Sequence, residues 1–217
     1  MMKAVVFDRD GVLIDSEKFH LNSMKRAFSE KGIVLSEEDT GCIIGRSPID
    51  YLQKFEKKYN MPHKDIDEIH SSSIKFYYEE FDTKGEIMHG VEELLSKLKK
   101  NNIKIVLATS SSKQGIDHFF RTFGLKDYFD FVLGRDDVKK RKPDPEIYLK
   151  AKQKLGFECN EIVVIEDSEV GVTAAKSAGL LCIALKNEYT SHERSKADYV
   201  VDSIPEAEKI IIKLLEK

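Results

Sequence analysis

The sequence predicts a doubly wound α/β core, built on a parallel sheet, into which an all-helical domain is inserted. Three observations predict it. Short apolar runs of strand length alternate with longer stretches of helical period. Several of those runs are apolar on consecutive positions, as strands covered on both faces of a parallel sheet must be. One long stretch near the N-terminus breaks the alternation, with helical spacing and no convincing strand.

The strands are expected at Ala4–Phe7, Lys104–Ala108, Phe131–Leu133, residues 162–165, Leu181–Leu185 and Tyr199–Val201. Helices are expected between them at Val91–Lys100, 116–123, 145–155 and 170–178. The third of these has a start signal, with Asp144 as N-cap and Pro145 at the first helical position. The fourth stops at Gly179, a glycine suited to a left-handed cap. This is the pattern of a Rossmann-like sheet. In the interrupting stretch, Phe19, Met24, Ala27 and Phe28 lie at roughly helical spacing, and Tyr51, Leu52, Phe55 and Tyr59 more clearly so. Ile66, Ile69, Ile74 and Tyr77 predict a third or fourth helix. The expected division is therefore a core domain of residues 1–15 and 84–217, interrupted by a helical domain of residues 16–83.

Composition narrows the classes further. The 217 residues exceed a typical domain of about 150 and fall short of two. With 41% apolar and 34% charged residues, the chain can bury a core, which excludes a disordered polypeptide. A net charge of −3 gives the surface no general attraction for nucleic acid or anionic lipid. The opening residues offer only Ala4-Val5-Val6-Phe7 before charge returns, too few for a signal peptide or for a span of about 20 residues. Cys42, Cys159 and Cys182 are odd in number, far apart and without a Cys-x-x-Cys pair, so they read as reduced packing residues. The expectation is a cytoplasmic protein, monomeric or weakly dimeric, with no nucleic-acid or membrane partner.

In open α/β sheets, ligands bind beyond the carboxyl ends of the strands. Asp8-Arg9-Asp10-Gly11 follows the first strand, Thr109-Ser110-Ser111-Ser112 the second, and Glu166-Asp167-Ser168 the fourth. The loop after the third holds Lys139-Lys140-Arg141-Lys142-Pro143. Carboxylates gathered from Asp8, Asp10, Glu166 and Asp167 would repel unless a cation sat among them, and Mg²⁺ suits an all-oxygen set. Hydroxyls and N–H donors beside a lysine make a phosphate cradle. One carboxylate can attack phosphorus, and a second, two residues away, can protonate the leaving oxygen and later deprotonate water. Together the residues spell metal-assisted phosphoryl transfer.

Each part taken alone has a plainer reading. An Asp-x-Asp after a strand is ordinarily a turn, and Thr109 to Ser112 would serve as the N-cap region of the next helix. Lys139 to Lys142 would be a solvated charge run or a nucleic-acid patch, and Glu166-Asp167-Ser168 an acidic N-cap. The plain readings would have to hold at four strand ends in order.

The motifs resemble those of the haloacid dehalogenase superfamily of hydrolases, in the helical-cap branch close to the β-phosphoglucomutase-like phosphatases. They read Phe7-Asp8-Arg9-Asp10-Gly11-Val12-Leu13-Ile14-Asp15-Ser16, Ala108-Thr109-Ser110-Ser111, Arg141-Lys142-Pro143-Asp144-Pro145 and Val164-Ile165-Glu166-Asp167-Ser168-Glu169-Val170-Gly171. The likeness spans essentially the whole chain, with the helical insertion where that branch carries its cap. It implies Asp8 as nucleophile and Asp10 as general acid/base. Mg²⁺ would be held by the Asp8 carboxylate, the Asp10 carbonyl and Asp167, with Glu166 adding to the acidic site. Thr109 and the Ser110 backbone would bind the phosphoryl group, and Lys142 would neutralise its charge and that of Asp8. The presence of Asp10 weighs against haloacid dehalogenation, because the dehalogenases lack that aspartate.

The implied function is a Mg²⁺-dependent phosphomonoester hydrolase acting on a small phosphorylated metabolite, a sugar phosphate by preference, through an aspartyl phosphate. A sugar phosphomutase and a non-catalytic binder of phosphorylated ligands are the alternatives. Where the mutases carry an arginine for the second phosphate, this chain has Pro48. His20 and Arg46 are candidates for substrate contact, each with a plainer alternative: a packed histidine, and a solvent-facing arginine beside Gly45. Lys75 reads as a surface residue, and His89 replaces a proline usual in the branch, without an assigned role.

Overall fold

The computed structural model describes residues 1–43, 48–186 and 196–216. It separates into two compact units, Met1–Asp15 with Ile87–Lys217, and Ser16–Glu86.

The first unit is built on six parallel strands: β1 (Ala4–Phe7), β2 (Lys104–Ala108), β3 (Phe131–Leu133), β4 (Ile162–Glu166), β5 (Leu181–Leu185) and β6 (Tyr199–Val201). Their order is β3-β2-β1-β4-β5-β6, so the chain runs outward from β1 on one side, then crosses back to continue on the other. All four residues of β1 are fully buried, the consequence of helices on both faces. Five strands have the expected bounds, and β4 is one residue longer, reaching Glu166. In register, Phe7 lies level with Leu107 on one side and Ile165 on the other.

The covering helices, numbered along the chain, are α5 (Val91–Lys100), α6 (Lys113–Phe123), α7 (Glu146–Leu155), α8 (Glu169–Ser177) and α9 (Ile204–Leu215). Helix α5 shows why such segments fold as they do. Val91, Leu94, Leu95 and Leu98 recur on one face and are buried. Glu92 and Glu93 open the helix and Lys97, Lys99 and Lys100 close it, each sign matching the helix dipole. On one side of the sheet, Val6, Val106, Val164 and Cys182 pack with Ile147, Tyr148 and Ala151 of α7 and Val172, Ala174 and Ala175 of α8. Each fully buried valine there contributes about 2 kcal/mol of apolar transfer energy.

Helix starts depart from expectation by small, explicable amounts. Helix α6 begins three residues early, because the Ser112 side chain accepts the Gly115 N–H and caps it. Pro145, not Asp144, stands at the cap of α7, although Asp144 still accepts the Glu146 N–H at 3.0 Å. Ser168 caps α8 through the Gly171 N–H, and Gly179 takes the left-handed φ of 75° expected of it.

The second unit holds α1 (Glu17–Ser29), α2 (Glu37–Ile43), α3 (Pro48–Lys58) and α4 (His63–Lys84). No strand occurs among its described residues. Its own core contains Met24, Phe28, Tyr51, Phe55, Ile69 and Phe76, with the Phe28 and Phe55 rings edge to face at 5.5 Å. Ile74, counted from the sequence as part of the apolar face of α4, is instead 47% exposed. The buried face of α4 runs through Ile66, Ile69, Ser73, Phe76, Tyr77 and Phe81. The helix continues to Lys84, and the unit ends at Glu86, past the expected residue 83. No described helix is long and apolar enough to cross a membrane.

A buried carboxylate organises this unit. Asp39 accepts from the Ser36 N–H (3.0 Å) and hydroxyl (2.7 Å), Lys58 Nζ (2.6 Å) and the Tyr59 hydroxyl (2.5 Å). It thereby caps α2 and ties it to the end of α3. Burial works to raise its pKa, but these donors together drive it well below the usual carboxylate range. Replacing it as Asp39→Ala should cost about 2 kcal/mol, chiefly through the lost hydrogen bonds. The Lys58 side chain is 44% exposed, so its attraction is screened and adds little. Chemical denaturation of the two proteins side by side measures the loss.

Candidate active site

The strand order sets the site before any side chain is considered. Because β1 lies between β2 and β4, the residues after Phe7 are flanked by those after Ala108 and those closing β4. This is the switch point of the sheet. The chain then doubles back, with the Leu13 N–H donating to the Arg9 carbonyl at 2.8 Å and Gly11 at φ 70°. A Cβ at Gly11 would stand 2.0 Å from Asp167 Oδ2, so only glycine lets this turn approach the carboxylate.

Lys142 is the node of the cluster. Its ammonium donates to Asp8 Oδ1 and to Glu166 Oε1, both at 2.6 Å, and to the Ala108 carbonyl at 3.1 Å. Those three bonds use all its donors. The side chain is 4% exposed and its charge lies 4.9 Å from the Tyr148 ring centre. Burial works against its charge, yet Asp8 and Glu166 outweigh that and raise its pKa. Lys142 therefore stays protonated.

Glu166 is wholly buried and has its hydrogen bonds met by the protein. Besides Lys142, the Tyr148 hydroxyl donates to Oε1 at 2.7 Å. The N–H groups of Asp167 and Ser168 and the Ser168 hydroxyl donate to Oε2 at 3.1, 3.2 and 3.1 Å. Burial pushes its carboxyl up, but Lys142, Tyr148 and the Ser168 N–H more than offset this, and the group stays ionised. Asp8 goes the other way. Burial lifts it to about 7, with Glu166 and Asp10 adding to the lift against the pull of Lys142. One ammonium shared by two carboxylates leaves uncompensated negative charge. Oxygens of Asp8, Glu166 and Asp167 lie within 4.8 Å of one another, a buried donor set suited to a hard divalent cation.

Thr109 is fully buried, and its Oγ1 accepts the Ser111 N–H at 3.1 Å and donates to the Ser111 hydroxyl at 3.1 Å. Ser111 in turn donates to Asp10 Oδ2 at 3.4 Å, linking the second motif to the first. Ser110 faces solvent. Asp8, Asp10, Thr109, Lys142, Glu166 and Asp167 thus lie at adjoining strand ends of one unit. His20 lies in the other, exposed on α1 and stacked on Tyr77 at 4.3 Å. Lys75 is exposed on α4, 3.8 Å from Glu79. Arg46 falls outside the described residues.

Three participants escaped the sequence reading. Tyr148 falls inside the expected helix 145–155 with no role assigned, and only the fold shows its hydroxyl reaching Glu166. Gly171 is the second. A Cβ there would sit 1.9 Å from the Glu166 carboxyl, so a bare backbone is what lets α8 pass behind it. Arg9 is the third, buried and clasping Asp10 through Nη2–Oδ1 at 2.8 Å and Nε–Oδ2 at 3.1 Å. A cation between two aspartates after a fully buried strand was its available signal.

An acidic cluster at the switch point of a parallel sheet, bridged by a buried lysine, defines a class of phosphate-handling α/β enzymes. The sequence pattern of the haloacid dehalogenase-like hydrolases matches residues 5–185. A Thermotoga maritima protein named phosphorylated carbohydrates phosphatase is 34% identical over 192 residues, covering 82% of each chain. The β-phosphoglucomutase structure from Clostridium difficile superposes with a TM-score of 0.80 at 28% identity, covering 100% of this chain and 98% of that one. CbbY from Rhodobacter sphaeroides, solved with xylulose-(1,5)bisphosphate, gives 0.77 at 28% identity over 94% and 95% of the two chains. The chain belongs to the haloacid dehalogenase-like hydrolase family and is an enzyme, a hydrolase of the phosphatase type.

Two outcomes test this construction. Gly171→Ala should displace Glu166 from Lys142 and cut turnover by about a hundredfold, at a stability cost of about 1–3 kcal/mol from overpacking. Steady-state kinetics and thermal unfolding on one preparation check both. The second concerns the loop that delivers Lys142. Glu146 bonds Lys150 and accepts the N–H groups of Lys139 and Lys140, which hold its carboxyl down at about 2, against an ordinary 4.5. A depressed folded value means the stabilisation is complete above the ordinary value and disappears as pH falls through the folded one. The Tm gap between the wild type and Glu146→Gln should be full near about pH 6 and nearly closed near about pH 2.

Proposed function

We propose that this enzyme is a Mg²⁺-dependent phosphomonoester hydrolase for small phosphorylated metabolites of the sugar phosphate class, acting through a phosphoryl group carried on Asp8. The observation that carries the reading is the Lys142 ammonium held between Asp8 and Glu166 beside Thr109 and Asp167. The substrate class is supported by the phosphorylated carbohydrates named for the Thermotoga relative and by the sugar bisphosphate bound to CbbY.

The donor set fits a hard cation, and the Asp8 carboxylate, the Asp10 carbonyl and Asp167 would hold it. Glu166, already engaged by protein donors on both oxygens, would contribute mainly charge. When bound, Mg²⁺ supplies charge neutralisation for the phosphoryl oxygens. The remaining work falls to side chains. An Asp8 carboxylate oxygen attacks phosphorus while the bond from phosphorus to the sugar oxygen breaks, and Asp10 gives its proton to that oxygen. Water then attacks the aspartyl phosphate and Asp10 takes up its proton. The bond from phosphorus to Asp8 breaks, releasing inorganic phosphate. Lys142, Thr109 and the Ser110 N–H hold the phosphoryl oxygens through both steps.

The helical unit, in this reading, is the cap that selects the substrate, with His20 and Arg46 as candidates for contact with it. Pro48, which opens α3, stands where the mutases have an arginine for a second phosphate, and this favours hydrolysis over transfer within the sugar.

The test is phosphate release from a panel of sugar phosphates and small organic phosphates, with Mg²⁺ and with chelator, beside Asp8→Asn. Release should require both Mg²⁺ and Asp8, and the variant should fall to background. Full activity of the variant would overturn the covalent route. Exchange between sugar phosphate isomers without release would assign a mutase, and neither activity would point to a binding protein.

A further inference from the structure

Asp10 is held by an arginine to which neither the family match nor the proposed reaction gives a task. Consecutive residues ordinarily point their side chains apart, yet the turn closed by Leu13 and Gly11 brings Arg9 and Asp10 onto the same side. The guanidinium meets the carboxylate as a fork, one nitrogen on each oxygen, at 2.8 and 3.1 Å. Its remaining terminal nitrogen, Nη1, donates to the Gly115 carbonyl at 3.3 Å, and the group lies 5.9 Å from the centre of the Phe119 ring. Both of those partners belong to α6. The Arg9 side chain is 7% exposed, whereas that of Asp10 is 28% exposed. Arg9 is thus the more deeply buried member of the pair, tied to α6 as well as to Asp10.

We propose that Arg9 is a positioning residue for Asp10, passing the fixed orientation of α6 to the carboxylate that transfers protons. A carboxylate on a short turn can rotate about two bonds, and a single-point cation would leave that freedom largely intact. A planar fork secured at a third point removes it. The Ser111 hydroxyl, 3.4 Å from Oδ2, completes the restraint on the side of Thr109. Misplacement of a proton-transfer group by about an ångström can cost about a hundredfold in rate. The proposal rests on the reading of Asp10 as general acid, so its test must be able to fail separately from that reading.

Phenyl phosphate and p-nitrophenyl phosphate provide the probe, since phenoxide needs a proton to depart and nitrophenoxide hardly does. The kcat/KM values are measured with Mg²⁺ for wild type, Arg9→Met, Arg9→Lys, Asp10→Ala and the double variant Arg9→Met/Asp10→Ala. Arg9→Met should lower the phenyl phosphate value about ten- to a hundredfold more than the nitrophenyl value. It should have no further effect in the Asp10→Ala background. Arg9→Lys, which keeps the charge without the fork, should fall between, and it carries the same comparison if Arg9→Met fails to fold. Equal losses on both esters, or losses that add to those of Asp10→Ala, would make Arg9 a mere tie between the turn and α6 and overturn the proposal. A wild-type Arg9→Met beside an impaired Asp10→Ala would overturn it and leave Asp10 its role. A wild-type ester preference in Asp10→Ala would refute the acid reading, and this inference with it.

Discussion

Gathering carboxylates at the carboxyl end of a parallel sheet is costly, and the buried ammonium of Lys142 is what makes it possible here. A charge removed from water must find compensation within a few ångströms or neutralise itself. Lys142 finds it in two carboxylates at 2.6 Å, and each of those tolerates burial because the lysine is there. The surroundings then serve this arrangement. Tyr148 and the Ser168 turn immobilise Glu166, Gly171 gives it room, and the β1–β4 register sets Asp8 alongside. Remove the lysine and two uncompensated acids remain in a dry pocket.

The compensation is incomplete, and that incompleteness has a direction. Glu166, with its full set of donors, takes the larger share and stays ionised, while Asp8 is lifted to about 7. The one ammonium is shared between Asp8 and Glu166, and burial works further against the charge of Asp8. In the proposed reaction, a hard divalent cation held by these oxygens would favour the anionic form of Asp8, the state in which it would attack phosphorus.

Much of this was legible in the sequence, for reasons that also mark where legibility stops. Strands buried on both faces announce themselves as unbroken apolar runs, so five of the six have the bounds read from the sequence. The strand ends then placed Asp8, Asp10, Thr109, Lys142, Glu166 and Asp167 together, since topology alone dictates which loops meet. Helix starts were less visible because they are decided by local side-chain bonds, such as that of Ser112 to Gly115. Ile74 misled because a helical face is broad enough to make one apolar residue at its margin look interior. Tyr148 and Gly171 gave no signal as participants, because their meeting with Glu166, 18 and 5 residues away, is set by the fold; Arg9 offered only its charge between two aspartates, and its grip depends on a turn that brings adjacent side chains together.

Asp8 and Asp10 stand two residues apart and are read as doing opposite things, and the structure separates them by environment. Asp8 is enclosed, bonded to one point charge that it shares with Glu166. Asp10 is partly open to water, held by a planar fork, and touched by a hydroxyl that reaches back to Thr109. A nucleophile needs a fixed position and exclusion of water, whereas a proton carrier needs a fixed direction and access to water. A compact ammonium beside the enclosed Asp8, and a buried guanidinium that forks onto the more open Asp10, would answer those two needs in kind. In the proposed reaction, two identical side chains on one short loop would thereby take up different chemistry from the cations that hold them.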